Sequence, residues 1–392
     1  MIRSVKFKNF YSFRDEQSIS FLAKKKDTYD YYYSKSGDQI SKIIGFIGGN
    51  ASGKTNIMRL FSFLSYFICM SSKEDPTLAM NTGFKTFFGN EDPSSFSLEF
   101  ELNGSVFEYQ LEIIKNIVNK EKLTIKGLQP AAKKVTIFSR DIGIKFKLND
   151  AYFEGFKLNF IKNIRPDVSF IAFLKAHYNI KIINDVFNYF DNFRTNINER
   201  GELNNGMHQI KILKMYLTDP ELKKSVEEFI SNFDLGLNSF DIKSKTESIG
   251  TTISIEGIHT TGTEIKRLDF NYESRGTQSL FFTLANIFSA LKHNNVVIID
   301  EIEMGLHPEA LSKLISYFID ENSNKKAQII FSSHSLGFMN KFDMHQIFFS
   351  EKDKDNISHV YRLNEVKEIR SDENFLAKYM AGAYGAFPQI RV

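Results

Sequence analysis

Apolar and polar residues alternate from the first positions of the chain. Val5, Phe7, Phe10 and Phe13, then Ile19 and Phe21, predict two short strands over residues 1–22. The polar, Tyr-rich stretch 23–40 reads as a loop, and the apolar run 42–47 as a strand ending at Gly48. From residue 54 the spacing becomes helical, with Ile57, Leu60, Phe61, Leu64 and Phe67 on one face. A clean alternation over 96–102, the turn pair Asn103-Gly104 and a return over 106–113 predict a hairpin, with further strands to about residue 153. Residues 155–235 carry helical spacing and few strand signals, and predict an inserted helical lobe. Phe170, Phe173, Phe187 and Phe190 are expected to give it a small core of its own. Strands are expected again over 240–270. The last third then alternates: helix 276–292, strand 296–299, helix 308–321, strand 328–331 and strand 346–350, the order of an α/β half-domain. The division expected is 1–154, 155–235 and 236–392. No internal repeat and no sustained heptads are present.

Composition narrows the class. With 42% hydrophobic residues the 392-residue chain can bury a large core. Its 39 Phe and 16 Tyr, with no Trp, are read as core filling rather than as base-stacking platforms. A net charge of +3 does not argue for nucleic acid by itself. Locally, Lys115, Lys120, Lys122, Lys126, Lys133, Lys134, Arg140, Lys145 and Lys147 face four acids over residues 111–150, which reads first as a solvated sheet edge. The single cysteine, Cys69, lies in an apolar run and has no partner for a disulfide or a zinc site, so a buried thiol is expected. No signal-like start and no apolar stretch near the ~18 residues of a membrane span are seen, so the expected address is the cytoplasm, without membrane contact.

The chemistry concentrates in two places. Gly48-Gly49-Asn50-Ala51-Ser52-Gly53-Lys54-Thr55 is a full G-x-x-x-x-G-K-[ST] match between a strand and a helix. Such a loop points its backbone N–H groups at phosphate, and the following helix adds its positive end. Gly48, Asn50, Ala51, Ser52, Gly53, Lys54, Thr55 and Asn56 are therefore the candidate nucleotide contacts. Lys54 is expected to reach the β and γ phosphates and Thr55 to ligate Mg²⁺. Second, the apolar run Val296-Val297-Ile298-Ile299 delivers Asp300 and Glu301 at the C-terminal end of a buried strand. Asp300 is expected to hold the Mg²⁺ shell and Glu301 to orient or deprotonate the attacking water.

These and further segments resemble ABC-class ATPases of the chromosome-maintenance and double-strand-break-repair branch, and more closely the stand-alone ATPases of bacterial phage-defence loci and the ATPase half of OLD-type nucleases. Lys8-Asn9-Phe10-Tyr11-Ser12-Phe13 is similar to the strand-loop on the adenine side, with Tyr11 where relatives often carry Arg. Glu273-Ser274-Arg275-Gly276-Thr277-Gln278 stands where the signature motif opens a helix, though it reads Ser-Arg-Gly-Thr-Gln in place of Leu-Ser-Gly-Gly-Gln. Ile302-Glu303-Met304-Gly305-Leu306-His307-Pro308 resembles the D-loop of this branch. Ser332-Ser333-His334-Ser335 resembles the switch-histidine segment, and residues 379–388 the C-terminal tag of the defence ATPases. A glutamine loop has no clear counterpart, Gln110 lying in a β hairpin.

The resemblance implies an ABC-type head: a P-loop α/β core plus an antiparallel β subdomain. The inserted helical lobe, placed between the β block and the signature half, is expected to lie away from the nucleotide as a partner or sensor surface. The resemblance implies ATP and Mg²⁺ as cofactors, and His334 beside Glu301 and Lys54 as a catalytic group. It also implies that Ser274 and Gly276 close on the γ-phosphate held by a second head, so that the working unit is a homodimer or a higher homo-oligomer. The 58 residues after His334 are few for a TOPRIM nuclease domain. The expected role is therefore a sensor or regulatory ATPase controlling a separate effector, a nuclease or toxin, in anti-phage defence. The alternatives are a DNA-binding repair or chromosome-maintenance ATPase using the basic 111–150 region and, less in keeping with the signature, a transporter subunit.

Overall fold

The computed structural model describes residues 1–23, 28–73, 83–129, 131–141, 145–154, 156, 161, 164–203, 206–232, 236–247 and 250–387. Its centre is a six-stranded sheet. The strand β6 (Ile43–Ile47) lies between β17 (Gln328–Ser333) and β18 (Ile347–Lys352), parallel to both. Beyond β17 comes β16 (Val296–Ile299), then the two-residue edge strand β12 (Arg194–Thr195). On the other side β19 (Ser358–Arg362) closes the sheet antiparallel to β18. β6, β16 and β17 are buried at every position, which is why they read as unbroken apolar runs rather than as alternation.

This sheet separates two cores, and successive residues of its strands go to opposite ones. Ile44 and Phe46 of β6, Ile298 of β16 and Ile330 of β17 join a core with helix α1 (Lys54–Met70). Ile43, Ile47, Val297, Ile299, Ile329 and Phe331 join the other, with α6 (Arg275–His293) and α7 (Pro308–Glu321). The first core is roofed by a seven-stranded antiparallel sheet, in the order β11 (Lys145–Leu148), β10 (Val135–Asp141), β9 (Ile117–Gly127), β8 (Ser105–Ile114), β7 (Ser94–Leu102), β1 (Ile2–Lys8) and β2 (Gln17–Ser20). The Asn103-Gly104 turn joins β7 to β8 as the sequence predicts. A P-loop α/β core with an antiparallel β subdomain is thus the observed fold. Phenylalanine fills it: among the described residues only Phe88 and Phe387 are exposed phenylalanines. Cys69 is buried, and burial pushes its thiol pKa far up. No described helix is long and apolar enough to cross a membrane.

Two expectations are corrected. The stretch 23–40 is not only a loop: β3 (Leu22–Ala23), β4 (Tyr31–Tyr33) and β5 (Gln39–Ser41) form a small antiparallel sheet. Strands of two or three residues are too short to show a period. The phenylalanines of segment 155–235 form no core of their own. α2 (Phe170–His177) and α3 (Lys181–Asp191) put Phe170, Phe187 and Phe190 into the α1 core, with Phe173 packed against it. α4 (Gly206–Thr218) and α5 (Pro220–Ser231) put Ile212, Tyr216, Val226 and Phe229 into the α6 core. Each helix has one apolar stripe, and the stripes cover two faces already present. Glu121 fixes the first pair: fully buried, it accepts from Tyr109 Oη at 2.9 Å, Ser169 Oγ at 2.9 Å and the Phe170 N–H at 2.8 Å, with Arg140 Nε at 3.1 Å.

Three strands precede the last third, as expected: β13 (Leu237–Glu247), β14 (Gly250–Thr261) and β15 (Glu264–Asp269) form an antiparallel meander leading into α6. The sequence reading did not extend to β19 or to α8 (Phe375–Met380). Tyr379, Tyr384 and Ala386 of the C-terminal segment pack on the β18–β19 pair, where Ala386 N–H donates to Glu351 Oε2 at 2.8 Å. Pro388, the last residue of the proposed tag, lies outside the described residues.

Candidate functional site

The loop after β6 has to be glycine at its first position. A Cβ on Gly48 would stand 2.0 Å from the carbonyl oxygen of Ser350, so β18 presses directly on the loop. Ser350 Oγ also donates to Ser52 O at 3.0 Å. Asn50 and Ala51 form the exposed tip, and Ala51 adopts φ 60°. α1 then begins at Lys54 with no side-chain cap at Gly53, which leaves its first N–H groups available. Lys54 is buried, its ammonium donating to Gly48 O at 2.8 Å and Gly49 O at 2.9 Å. Burial brings its pKa down to about 8, against the opposing pull of Asp300, Glu303 and Glu301.

Asp300 is 2% exposed at the end of β16. Burial raises its pKa, while the hydroxyls of Ser332 and Thr55 and the charge of Lys54 work the other way. Thr55 and Asp300, 245 residues apart in the numbering, are therefore neighbours at the site. β17 lies between the P-loop strand and the acidic strand, and its Ser332 serves both acids. Its Oγ donates to Asp300 Oδ1 and accepts the Glu301 N–H at 2.9 Å. Glu301 itself sits at φ 51°, a left-handed conformation uncommon for a non-glycine residue and frequent at working sites.

The segment expected to lie away from this site reaches into it. β12 pairs parallel with β16, and the next residue, Asn196, clamps the backbone of Asp300. Asn196 Nδ2 donates to Asp300 O and Asp300 N–H donates to Asn196 Oδ1, both at 2.8 Å, with Asn196 1% exposed. Asn196→Asp removes the donor and turns a carboxylate toward the Asp300 carbonyl. The expected result is a loss of about 1–3 kcal/mol in folding stability, read as a lower denaturant midpoint; an unchanged midpoint would show that the clamp contributes nothing. Further along, Glu199 O accepts the Tyr11 hydroxyl at 3.1 Å. Tyr11 lies under the Arg59 guanidinium, 4.7 Å from ring centre to Cζ, and Arg59 bonds Asn56 Oδ1 at 3.1 Å. Asn56 in turn donates to Ser12 Oγ at 2.8 Å, which brings the Lys8–Phe13 loop against the P-loop helix.

Ser274 caps α6, its Oγ accepting the Thr277 N–H at 3.1 Å, and Arg275 is exposed beside it. Gly276 touches the turn after the acids: a Cβ there would stand 2.5 Å from Gly305 O. The segments that resemble the signature motif and the D-loop are thus in backbone contact within one chain. His334 is exposed just past β17, and its N–H donates to Glu303 Oε1. Gln110 bonds Glu108 on the outer face of the antiparallel sheet. Asn196 and Arg59 are the site residues the sequence reading missed, and Ser332 and Glu303 were named within motifs without a role of their own. Only Glu303, two positions after Glu301, had a local signal.

A family model described as "AAA domain, putative AbiEii toxin, Type IV TA system" matches residues 43–340, which run from β6 past His334 and take in both halves of the site. The chain belongs to this family. No curated protein matches it. Solved structures similar to this family member include the SMC head bound to the C-winged helix domain of ScpA (15% identity, 92% of this chain and 97% of that one, TM-score 0.47). Others are the SMC head domain from Thermotoga maritima (14%, 92% and 98%, 0.41) and the SMC head with an extended coiled coil bound to the C-terminal domain of ScpA derived from Pyrococcus furiosus (15%, 92% and 96%, 0.46).

The residues present suit a nucleotide and its metal. Among the described residues Ser52 Oγ is buried without a hydrogen-bond partner and Lys54 is held only by loop carbonyls, so both can turn to phosphate oxygens. Among the described residues no group of three or more His, Cys, Asp or Glu could hold a metal. Thr55 with Asp300 is instead a partial oxygen set of the kind that Mg²⁺ can complete with phosphates and water.

Proposed function

We propose that this chain binds and hydrolyses ATP as an ABC-type ATPase in which each nucleotide is shared between two heads. The observation that carries the reading is a buried Asp300 close to Thr55, beside a Lys54 ammonium already poised on the P-loop carbonyls. Lys54, Ser52 and the free N–H groups at the start of α1 would take the phosphates. Thr55 and Asp300 would hold Mg²⁺, which neutralises charge on the transferring group. Glu301 would take a proton from the attacking water and His334 would orient the γ-phosphate side. Ser274 and Gly276, at the start of α6, would serve the partner's nucleotide, making the chain a homodimer or larger homo-oligomer.

The test is Ser274→Arg. The lost helix cap costs about 1 kcal/mol, too little to unfold the chain. ATP affinity should stay at the wild-type value, while turnover falls by roughly 10²-fold, the scale of losing one preorganised donor site. Wild-type turnover in this variant would mean that each head works alone.

The biological setting is supported by the family's description, which mentions a toxin of a Type IV toxin–antitoxin system, and by the resemblance of residues 379–388 to the tag of defence ATPases. The chain is then the regulatory ATPase of an anti-phage system, acting in the cytoplasm on a separate nuclease or toxin. A second reading, DNA binding, has one observation in its favour. Lys6, Lys122 and Lys147 stand in one cross-strand row with Ser97, Gln110 and Ser139, on a concavity of about 790 Å³ on the antiparallel sheet. None of the three lysines has an ion pair among the described residues, but Glu16, Glu112 and Asp141 share the surface. DNA binding that weakens steeply with salt and requires Lys122 would favour that reading.

A further inference from the structure

Glu303 is the third carboxylate in the segment that follows β16, after Asp300 and Glu301. One of its oxygens, Oε1, accepts the backbone N–H of His334, a charge-assisted bond between the segments that follow β16 and β17. Its other oxygen, Oε2, is buried and has no hydrogen-bond partner among the described residues. A carboxylate kept only for folding would have both oxygens satisfied, because a buried unpaired one is costly. Three further contacts surround it. Ile302 N–H donates to Ser332 O at 3.1 Å, Leu306 N–H to Glu303 O at 2.7 Å, and Gly305 abuts Gly276. Glu303 therefore stands where the acid pair, the histidine loop and the start of α6 meet.

We propose that Glu303 is a positioning residue for His334: its Oε1 fixes the backbone from which the imidazole projects, and its Oε2 stays available to a donor on the phosphate side. The inference rests on the proposed role of His334 in hydrolysis. Glu303 makes no bond to nucleotide under this proposal, so its effect passes through the histidine and appears in turnover rather than in ATP affinity. A glutamine at 303 keeps a carbonyl oxygen for the His334 N–H, whereas an alanine does not.

The experiment compares E303A, E303Q, H334A and the double variant E303A/H334A in the full chain. In the nucleotide-free protein, the His334 amide should exchange faster with solvent in E303A and stay protected in E303Q. With ATP and Mg²⁺, E303A should lose at least ~10-fold in kcat with ATP affinity unchanged, E303Q should retain most turnover, and the double variant should be no worse than H334A, as for residues acting as one unit. The inference falls if His334 exchange is the same in E303A as in wild type, if E303A turns over normally while H334A does not, or if the two losses multiply. A loss of ATP affinity equal to the loss in kcat would also overturn it, making Glu303 a binding group. If H334A itself hydrolyses ATP at the wild-type rate, the reading of His334 fails instead, whatever the amide exchange shows.

Discussion

Glu301→Gln is expected to lower ATP turnover by about 10²–10⁴-fold, roughly 3–5 kcal/mol of barrier, while leaving ATP affinity where it was. The substitution keeps the side chain's size and one acceptor oxygen but removes the base. It also leaves the local backbone in place, because Glu301, at φ 51°, is held through its N–H, bonded to Ser332 Oγ, and its carboxylate has no hydrogen bond among the described residues. ATP that is bound but not cleaved should then hold two heads together through Ser274 and Gly276. The variant is expected to run as a dimer with ATP and Mg²⁺ and as separate heads with ADP, as measured by size-exclusion chromatography with light scattering. Adding Ser274→Arg should abolish that dimer without affecting ATP binding. Hydrolysis by Glu301→Gln at the wild-type rate would remove Glu301 from the catalytic assignment.

Lys54→Ala should fail earlier, at binding. Removing the only buried ammonium described on the P-loop should cost about 2–5 kcal/mol of ATP affinity, roughly 30-fold to several thousand-fold. Without nucleotide the variant should melt no lower than wild type, since burial already disfavours the charge and holds its pKa at about 8 rather than 10.5. What it should lose is the rise in Tm that ATP confers on the wild type. The depressed pKa also sets a pH dependence. Below pH 8 the empty head carries the ammonium and ATP affinity is full. Above pH 8 the amine is neutral, and binding a polyanion must take up a proton. Affinity then falls as pH rises, by at most about tenfold per unit for one proton. Calorimetry between pH 6.5 and 9.5 should show this slope in wild type and a flat profile in Lys54→Ala. Equal affinities in the two proteins would undo the P-loop assignment.

Much of this was legible in the chain because the chemistry is local. A glycine loop between an apolar run and a helical face, and two acids at the end of another apolar run, each lie within about ten residues, and covalent neighbours cannot be separated by folding. The Asn103-Gly104 hairpin is readable for the same reason. Tertiary structure decided what depends on partners far apart in sequence. A helical stripe shows that a face is buried but not against what, so the sequence could not divide segment 155–235 between two cores. β12 has two residues, below any period, and its place beside β16 comes from a parallel register across more than a hundred positions. Asn196 acquires its hold on Asp300 only through that register. The bonds from Ser332 to Asp300 and from the His334 amide to Glu303 likewise exist because β17 is inserted between the strands bearing the lysine and the acids. Residue types at short spacing specified the reactive groups; the order of strands in the sheet determined which of them meet.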